Sequence, residues 1–314
     1  MPQLKAVFDQ WMQKPTRTDA FILCLFVLLI TWHPFYLHQQ INLFELGLYL
    51  PGIDGILNGQ IPYRDFFYLR GPVDLYLPAL FMRFWGEHVA VLCAYFYAGT
   101  VMTLIICVII ARELLPSRIF FYMLVPVLVA RTFPRVVFTY WGGLRYAWGL
   151  LAVLCVIYFL RGRKIGWLAA AGIFTAIAGL TSIEIGVCAF TAATVVLLWD
   201  GGWRRYLSAY CAAILTVVGS YFIYMAANGA LADYLNTQWV IVTQMTKTFV
   251  QTEPVPANLF QILHALLIPN DKNFRQMTSV YCYLFLVTYL FLRRRSHQLD
   301  WMDKAAAAAA VYGF

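Results

Sequence analysis

Long apolar runs separated by short basic turns constrain this chain more than any other feature. The run AVLCAYFYAGTVMTLIICVIIA, residues 90–111, carries no charge. About 20 mostly apolar residues are what a helix needs to cross the hydrocarbon of a bilayer. Candidate spans of this kind are 19–37, 89–111, 118–133, 144–160, 165–182, 184–199, 206–226 and 278–292, and a ninth begins near Lys304. The expected fold is an all-α polytopic membrane protein with about 8–9 transmembrane helices. Composition agrees, since 62% of the residues are hydrophobic and 12% are charged, roughly half the charged share of a soluble domain. The run after Lys304 stops after about ten residues, too few to span. The reading is therefore one domain over 1–314 that is expected to continue in a longer protein.

The basic residues fix an orientation. With the N-terminus in the cytoplasm, the inner turns hold Arg112 and Arg118, then Arg161, Arg163 and Lys164, then Arg204 and Arg205, then Arg293, Arg294, Arg295 and Lys304. Short basic turns belong on the cytoplasmic side. The long connections, 38–88 and 227–277, then face outward. Lys5, Lys14 and Arg17 precede the first apolar run, and no small-x-small cleavage site follows it. That run is expected to stay as an uncleaved helix of a multi-pass protein in the cytoplasmic (inner) membrane. The net charge of +8 is spread over these turns, which argues for membrane topology and against nucleic acid. The seven cysteines all fall inside apolar segments without CxxC spacing and read as small buried hydrophobes.

The first outer loop is the densest feature. Residues 42–57, NLFELGLYLPGIDGIL, read as a short amphipathic helix broken near Pro51-Gly52. Residues 72–85 read as a second, opened by Pro72. Both are apolar enough to lie in the membrane interface. Between them runs NGQIPYRDFFYLRG, punctuated by Gly59, Pro62 and Gly71. Glu45, Gly47, Tyr49, Leu57, Gly59, Pro62-Tyr63-Arg64-Asp65-Phe66, Gly71-Pro72, Tyr76 and Gly86 together form a pattern over roughly residues 41–86. In it the chain resembles integral-membrane glycosyltransferases of the GT-C type. The resemblance is to the bacterial protein-mannosyltransferase-like and RgtA/B/C/D-like group. It departs from the group where the loop begins Phe44-Glu45-Leu46-Gly47, with a single acid in place of a pair.

The resemblance implies transfer of a hexose or pentose from a polyprenyl-phosphate donor to a lipid, glycan or protein acceptor at the outer face of the membrane. It also implies that the first outer loop carries the essential carboxylate. Such chemistry needs a base for the acceptor hydroxyl and positive charge on the departing phosphate. Glu45 and Asp65 are the candidate bases. Arg64 and Arg70 are candidates for the phosphate, arginine being suited to bidentate contacts. Tyr63, Phe66, Phe67 and Tyr68 stack on sugar or anchor the loop. Ordinary roles stay open for each: Glu45 as a solvated helix residue, Asp65 as an ion-pair partner fixing the turn, and the arginines as contacts to lipid headgroups. Asp54 lies nine residues after Glu45, so a straight helix points the two to opposite faces. Asp74 and Glu87 stand near helix starts, where negative charge is favourable in any case.

Two further places carry charge against expectation. Arg131, Arg135 and Arg145 lie on the outer side, where an anionic ligand or lipid headgroups would account for them. Glu184 is the one acid within the apolar pair 165–199 before its basic turn; it is either functional or a polar turn residue. The five histidines are scattered, and no residue pattern requires a metal; a divalent ion held by Glu45 and the donor phosphate is compatible with the chemistry. No Walker, GxSxG or dinucleotide motif occurs. The segment 227–277 is a candidate acceptor site or an inert lid. A flippase of lipid-linked saccharides and a polysaccharide polymerase stand as alternatives to the transferase. Charges kept in loops and at helix ends favour interfacial chemistry over transport.

Overall fold

The computed structural model describes residues 9–31, 43–132, 144–245, 288–289, 292 and 300–313. Among them the structure is helical with no strand. Its helices are α1 (Arg17–Thr31), α2 (Leu43–Leu57), α3 (Val73–Trp85), α4 (Val89–Leu114), α5 (Arg118–Tyr122), α6 (Leu124–Thr132), α7 (Arg145–Gly162), α8 (Ile165–Thr181), α9 (Ile183–Leu198), α10 (Trp203–Ala227), α11 (Leu231–Val240) and α12 (Trp301–Gly313). Three of these, α4, α7 and α10, are long and apolar enough to cross a membrane. At 1.5 Å per residue α4 is about 39 Å long, against about 30 Å of hydrocarbon. α8 and α9 are apolar but shorter, each roughly 25 Å, and meet at Ser182, which ends one and begins the other.

Small residues make this hairpin tight. A Cβ on Gly186 would overlap the backbone of Gly179, and one on Gly172 would meet the Tyr210 carbonyl and the Ala213 methyl on α10. Close backbone approach of this kind is how apolar helices gain contact when lipid is as greasy as they are. The main core lies where α4, α7, α8, α9, α10 and α12 meet, around Ile157, Phe159, Leu168, Val196 and Tyr210. A second core joins α2 and α3 to the start of α4 and the end of α10. A third packs α1 on α4, α5 and α6.

Two expectations are corrected. The span expected at 118–133 is two short helices, split at Met123. Pro126 lacks an N–H, and in a continuous helix its ring would press on the Tyr122 carbonyl. Residues 43–57 form one helix, not one broken at Pro51-Gly52. Leu46, Tyr49 and Ile53 are buried along one side, whereas Gly47, Pro51 and Asp54 are exposed on the other. The proline ring therefore sits on the open face above Gly47, where a Cβ would meet nothing.

Ion pairs define one end of the bundle. Arg118 Nε and the Tyr122 hydroxyl each donate to Asp19 at 2.9 Å. Buried Glu113 accepts from Arg112 and Arg161 at 2.9 and 2.8 Å. Asp200 pairs with Arg163, and with Lys304 at 3.6 Å. These contacts bring together the starts of α1, α5 and α12 and the ends of α4, α7 and α9. The opposite end carries the loop 58–72, α3, the α8–α9 turn and the starts of α4 and α7.

Candidate functional site

The segment from Gly59 to Gly71 is a stapled scaffold. Tyr63 has a φ of 74°, a left-handed conformation uncommon outside glycine. Tertiary contacts hold it there. Its ring is buried and meets Tyr234 of α11 edge-on at 5.0 Å. Its hydroxyl donates to the Arg70 carbonyl at 2.5 Å, and its N–H donates to the Phe66 carbonyl at 2.8 Å. Asp65 closes the same turn, accepting the Ile61 N–H at 2.7 Å. Arg64 grips Asp65 with both Nε and Nη2 at 2.8 Å, and its Nη1 donates at 2.8 Å to the carbonyl of Asn228, just past the end of α10. A cation there also complements the helix dipole. The hydrogen bonds from Arg64 and the Ile61 N–H hold the Asp65 carboxyl down at about 2.

Gly71 locks this scaffold to the bundle. Its N–H donates to the Thr181 carbonyl at 3.0 Å, and a Cβ would overlap the Leu180 carbonyl oxygen. Only glycine allows the loop to approach the end of α8 so closely. Pro72 then opens α3, and Arg70 and Asp74 fall on either side of this anchor.

Asp74 is completely buried. The hydroxyls of Tyr49 and Tyr68 donate to its Oδ2 at 2.6 and 3.0 Å. Arg70 Nη1 lies 3.6 Å from the same oxygen and donates to the Tyr49 hydroxyl at 2.8 Å. The guanidinium also stands 5.5 Å from the centre of the Tyr49 ring, within range of cation–π attraction. Burial pushes the Asp74 carboxyl up, opposed by the Arg70 charge and the two tyrosine hydrogen bonds. Burial and the Asp74 charge raise both phenols well above their ordinary value, so they remain donors.

The start of α7 and the α8–α9 turn complete the cluster. Arg145 Nη2 lies 3.5 Å from Glu184 Oε2, and Ser182 Oγ donates to the same carboxylate. The Arg145 Nε is buried and has no hydrogen-bond partner among the described residues. The Glu184 side chain is two-thirds exposed. Arg70 and Arg145 both act electrostatically on Glu184 and on Asp74. Two arginines and two acids from three separated stretches of sequence therefore lie within electrostatic reach of one another at the loop end of the bundle.

Of the residues singled out in the sequence, Arg70, Arg145 and Glu184 come together. Arg64, Asp65 and Tyr63 lie in the scaffold beside them. Arg135 lies outside the described residues, as do the Glu45 side chain and most of 227–277. The backbone of Glu45 belongs to α2, one turn before Tyr49. Sequence reasoning missed Asp74, which looks like any acid in a first helical turn. It also gave no role to Tyr49, and treated Tyr68 only as a stacking or anchoring ring. The sole signal was the four-residue spacing of Arg70 and Asp74 across Gly71-Pro72. Among the described residues no group of three His, Cys, Asp or Glu is placed to hold a metal ion. No family model matches the chain, and comparisons with curated proteins and with solved structures return no match.

Proposed function

We propose that this protein is a polytopic membrane glycosyltransferase that moves a sugar from a polyprenyl-phosphate donor to a lipid, glycan or protein acceptor. The observation that supports the reading is that Arg70 and Arg145 both lie at the loop end of the bundle, within electrostatic reach of the same two acids, Asp74 and Glu184. Each keeps part of its side chain exposed, 16% and 19%. Each reaches the cluster from a different element. Two guanidinium groups so placed suit a phosphate ester, whose oxygens accept bidentate hydrogen bonds. In this reading about eight or nine helices span the cytoplasmic membrane, the N-terminus is cytoplasmic and the loop end faces outward.

The acceptor oxygen attacks the anomeric carbon. A glycosidic C–O bond forms, and the bond from that carbon to the phosphate oxygen breaks. The electron pair leaves on the polyprenyl phosphate, where Arg70 and Arg145 stabilise it. A carboxylate takes the acceptor proton. Asp65 suits this poorly, since its depressed pKa makes it a weak base. Glu45 and the exposed Glu184 remain as bases, with Glu45 favoured by the resemblance of the loop to GT-C enzymes.

The test is transfer of labelled sugar from a panel of polyprenyl-phosphate donors by membranes containing the protein. Glu45→Gln, Glu184→Gln, Asp65→Asn, Arg70→Lys and Arg145→Lys would run at matched expression. The expected pattern is transfer by wild type, near-complete loss in Glu45→Gln and at least tenfold loss in each arginine variant. Asp65→Asn should retain transfer. Arginine variants as active as wild type would remove the phosphate role. Loss in Glu184→Gln with retention in Glu45→Gln would reassign the base.

A further inference from the structure

We propose that Asp74, gripped by the hydroxyls of Tyr49 and Tyr68, is a positioning residue that aims Arg70 at the phosphate of a polyprenyl phosphate. This rests on the transferase reading above and adds to it a buried support that the loop sequence does not announce.

The geometry argues for aim over packing. Asp74 is completely buried, yet both tyrosines donate to one of its oxygens, and the other, Oδ1, is sealed from solvent and has no hydrogen-bond partner among the described residues. A carboxylate in such a place is a poor device for filling space, because apolar residues of similar volume stabilise a core at least as well. What the carboxylate does achieve is orientation. Arg70 has no acceptor atoms, so the Tyr49 hydroxyl accepts from Arg70 and must donate its own proton to Asp74. The relay Arg70 to Tyr49 to Asp74 therefore runs in one direction only. Arg70 Nη1 is fixed by Tyr49 and Asp74 together, and the Tyr63 hydroxyl holds the Arg70 carbonyl. Backbone and side chain are both pinned, so the side chain, 16% exposed, has little freedom left to lose when a ligand arrives. Lower ordering cost on binding is the usual return of such preorganisation. Asp74 also supplies a counter-charge that lets Arg70 sit partly buried before the ligand is present.

The experiment titrates the purified full chain in detergent micelles with decaprenyl monophosphate, using uncharged decaprenol as the control. Wild type is expected to bind the monophosphate, and decaprenol at least about tenfold more weakly. Asp74→Asn and Tyr49→Phe should each raise Kd about tenfold, the scale of one charge-assisted hydrogen bond. Arg70→Lys should also weaken binding. Adding Asp74→Asn to Arg70→Lys should then change nothing further, because Asp74 acts through the guanidinium; independent effects would multiply instead. That non-additivity is what a merely structural role would not produce. Three results overturn the proposal: wild-type affinity in a folded Asp74→Asn, multiplying effects in the double variant, or no preference of wild type for the monophosphate. If Asp74→Asn does not fold, Tyr49→Phe takes its place in the cycle. If neither folds, the network is fold support and the proposal fails. Sugar transfer separates the two readings. An intact binding cycle with no donor turned over by wild type removes the transferase and leaves the positioning role. Transfer by wild type with multiplying effects does the reverse.

Discussion

Asp65 and Asp74 lie nine residues apart in one loop and meet opposite environments. Asp65 is solvent-facing and neutralised by Arg64, whereas Asp74 is sealed under two tyrosines. The difference is measurable by pH. The Asp65 carboxyl is lowered from 3.8 to about 2 by Arg64 and the Ile61 N–H. A group with a depressed folded pKa contributes stability that is complete above its unfolded value and lost as pH falls through its folded value. Asp65→Asn cannot titrate. The melting temperatures of wild type and Asp65→Asn in detergent should therefore differ by a constant gap above about pH 5, and the gap should shrink progressively below it and close by about pH 1. A gap that persists at the acid end would show that ionisation of Asp65 does not hold the turn. At this scale the sequence was partly legible. The pairing of Asp65 with Arg64 stood among the readings because the two are adjacent. The burial of Asp74 did not, because its donors Tyr49 and Tyr68 come from 25 and 6 residues away, and no local pattern distinguishes a buried first-turn acid from a solvated one.

Helices were legible where apolar runs were long and uninterrupted. α4, α7, α8, α9 and α10 fall within a few residues of the expected spans because nothing inside them competes with the helix. The prolines were harder to read. Pro126 splits a run, whereas Pro51 lies within a continuous helix. Exposure of the ring does not decide the outcome, since Pro51 and Pro126 are both exposed and Pro78 is buried inside α3. Glycines depend on what lies across from them and give a paired prediction. Gly71→Ala puts a methyl into the Leu180 carbonyl, and backbone cannot swing aside as a side chain does. The change should destabilise by roughly 1–3 kcal/mol and shift Arg70 enough to reduce transfer. Gly47→Ala lies within α2 on its exposed side, where a Cβ meets nothing, and should stabilise by about 0.5–1 kcal/mol through helix propensity. Thermal melts of the two variants beside wild type test both signs. Gly186→Ala belongs with the first kind, since its methyl would overlap Gly179 and spread the α8–α9 hairpin that carries Ser182 and Glu184. It should lower the melting temperature and weaken Arg145 function without touching any charged residue.

At the scale of the whole molecule the two ends differ in kind. The end that gathers Arg112, Arg118, Arg161, Arg163 and Lys304 binds its basic residues to Glu113, Asp19 and Asp200. The other end holds aromatic rings, Gly71 and the Arg70–Arg145 cluster. The basic turns were readable because charge between apolar runs has few other purposes; the pairings Asp19–Arg118, Glu113–Arg161 and Asp200–Arg163 were not, since each joins residues far apart in the chain. The proposed function needs the cluster to face away from the cytoplasm, and this is open to direct measurement. Phe67 is 67% exposed in the loop, and Gly201 is exposed at the opposite end with room for a side chain. An impermeant maleimide applied to intact cells should label Phe67→Cys and leave Gly201→Cys untouched until the membrane is permeabilised. Wild type gives the background from its own cysteines, of which the six described are buried or half-buried. The reverse labelling would put Arg70 and Arg145 on the cytoplasmic side. A site there would meet nucleotide-activated sugars as well as lipid-linked ones, and topology would no longer favour a polyprenyl-phosphate donor. Labelling of both residues in intact cells would mean that the ion-pair end is reachable from outside. The assignment of the basic turns to the cytoplasm would then fail, whatever the donor proved to be.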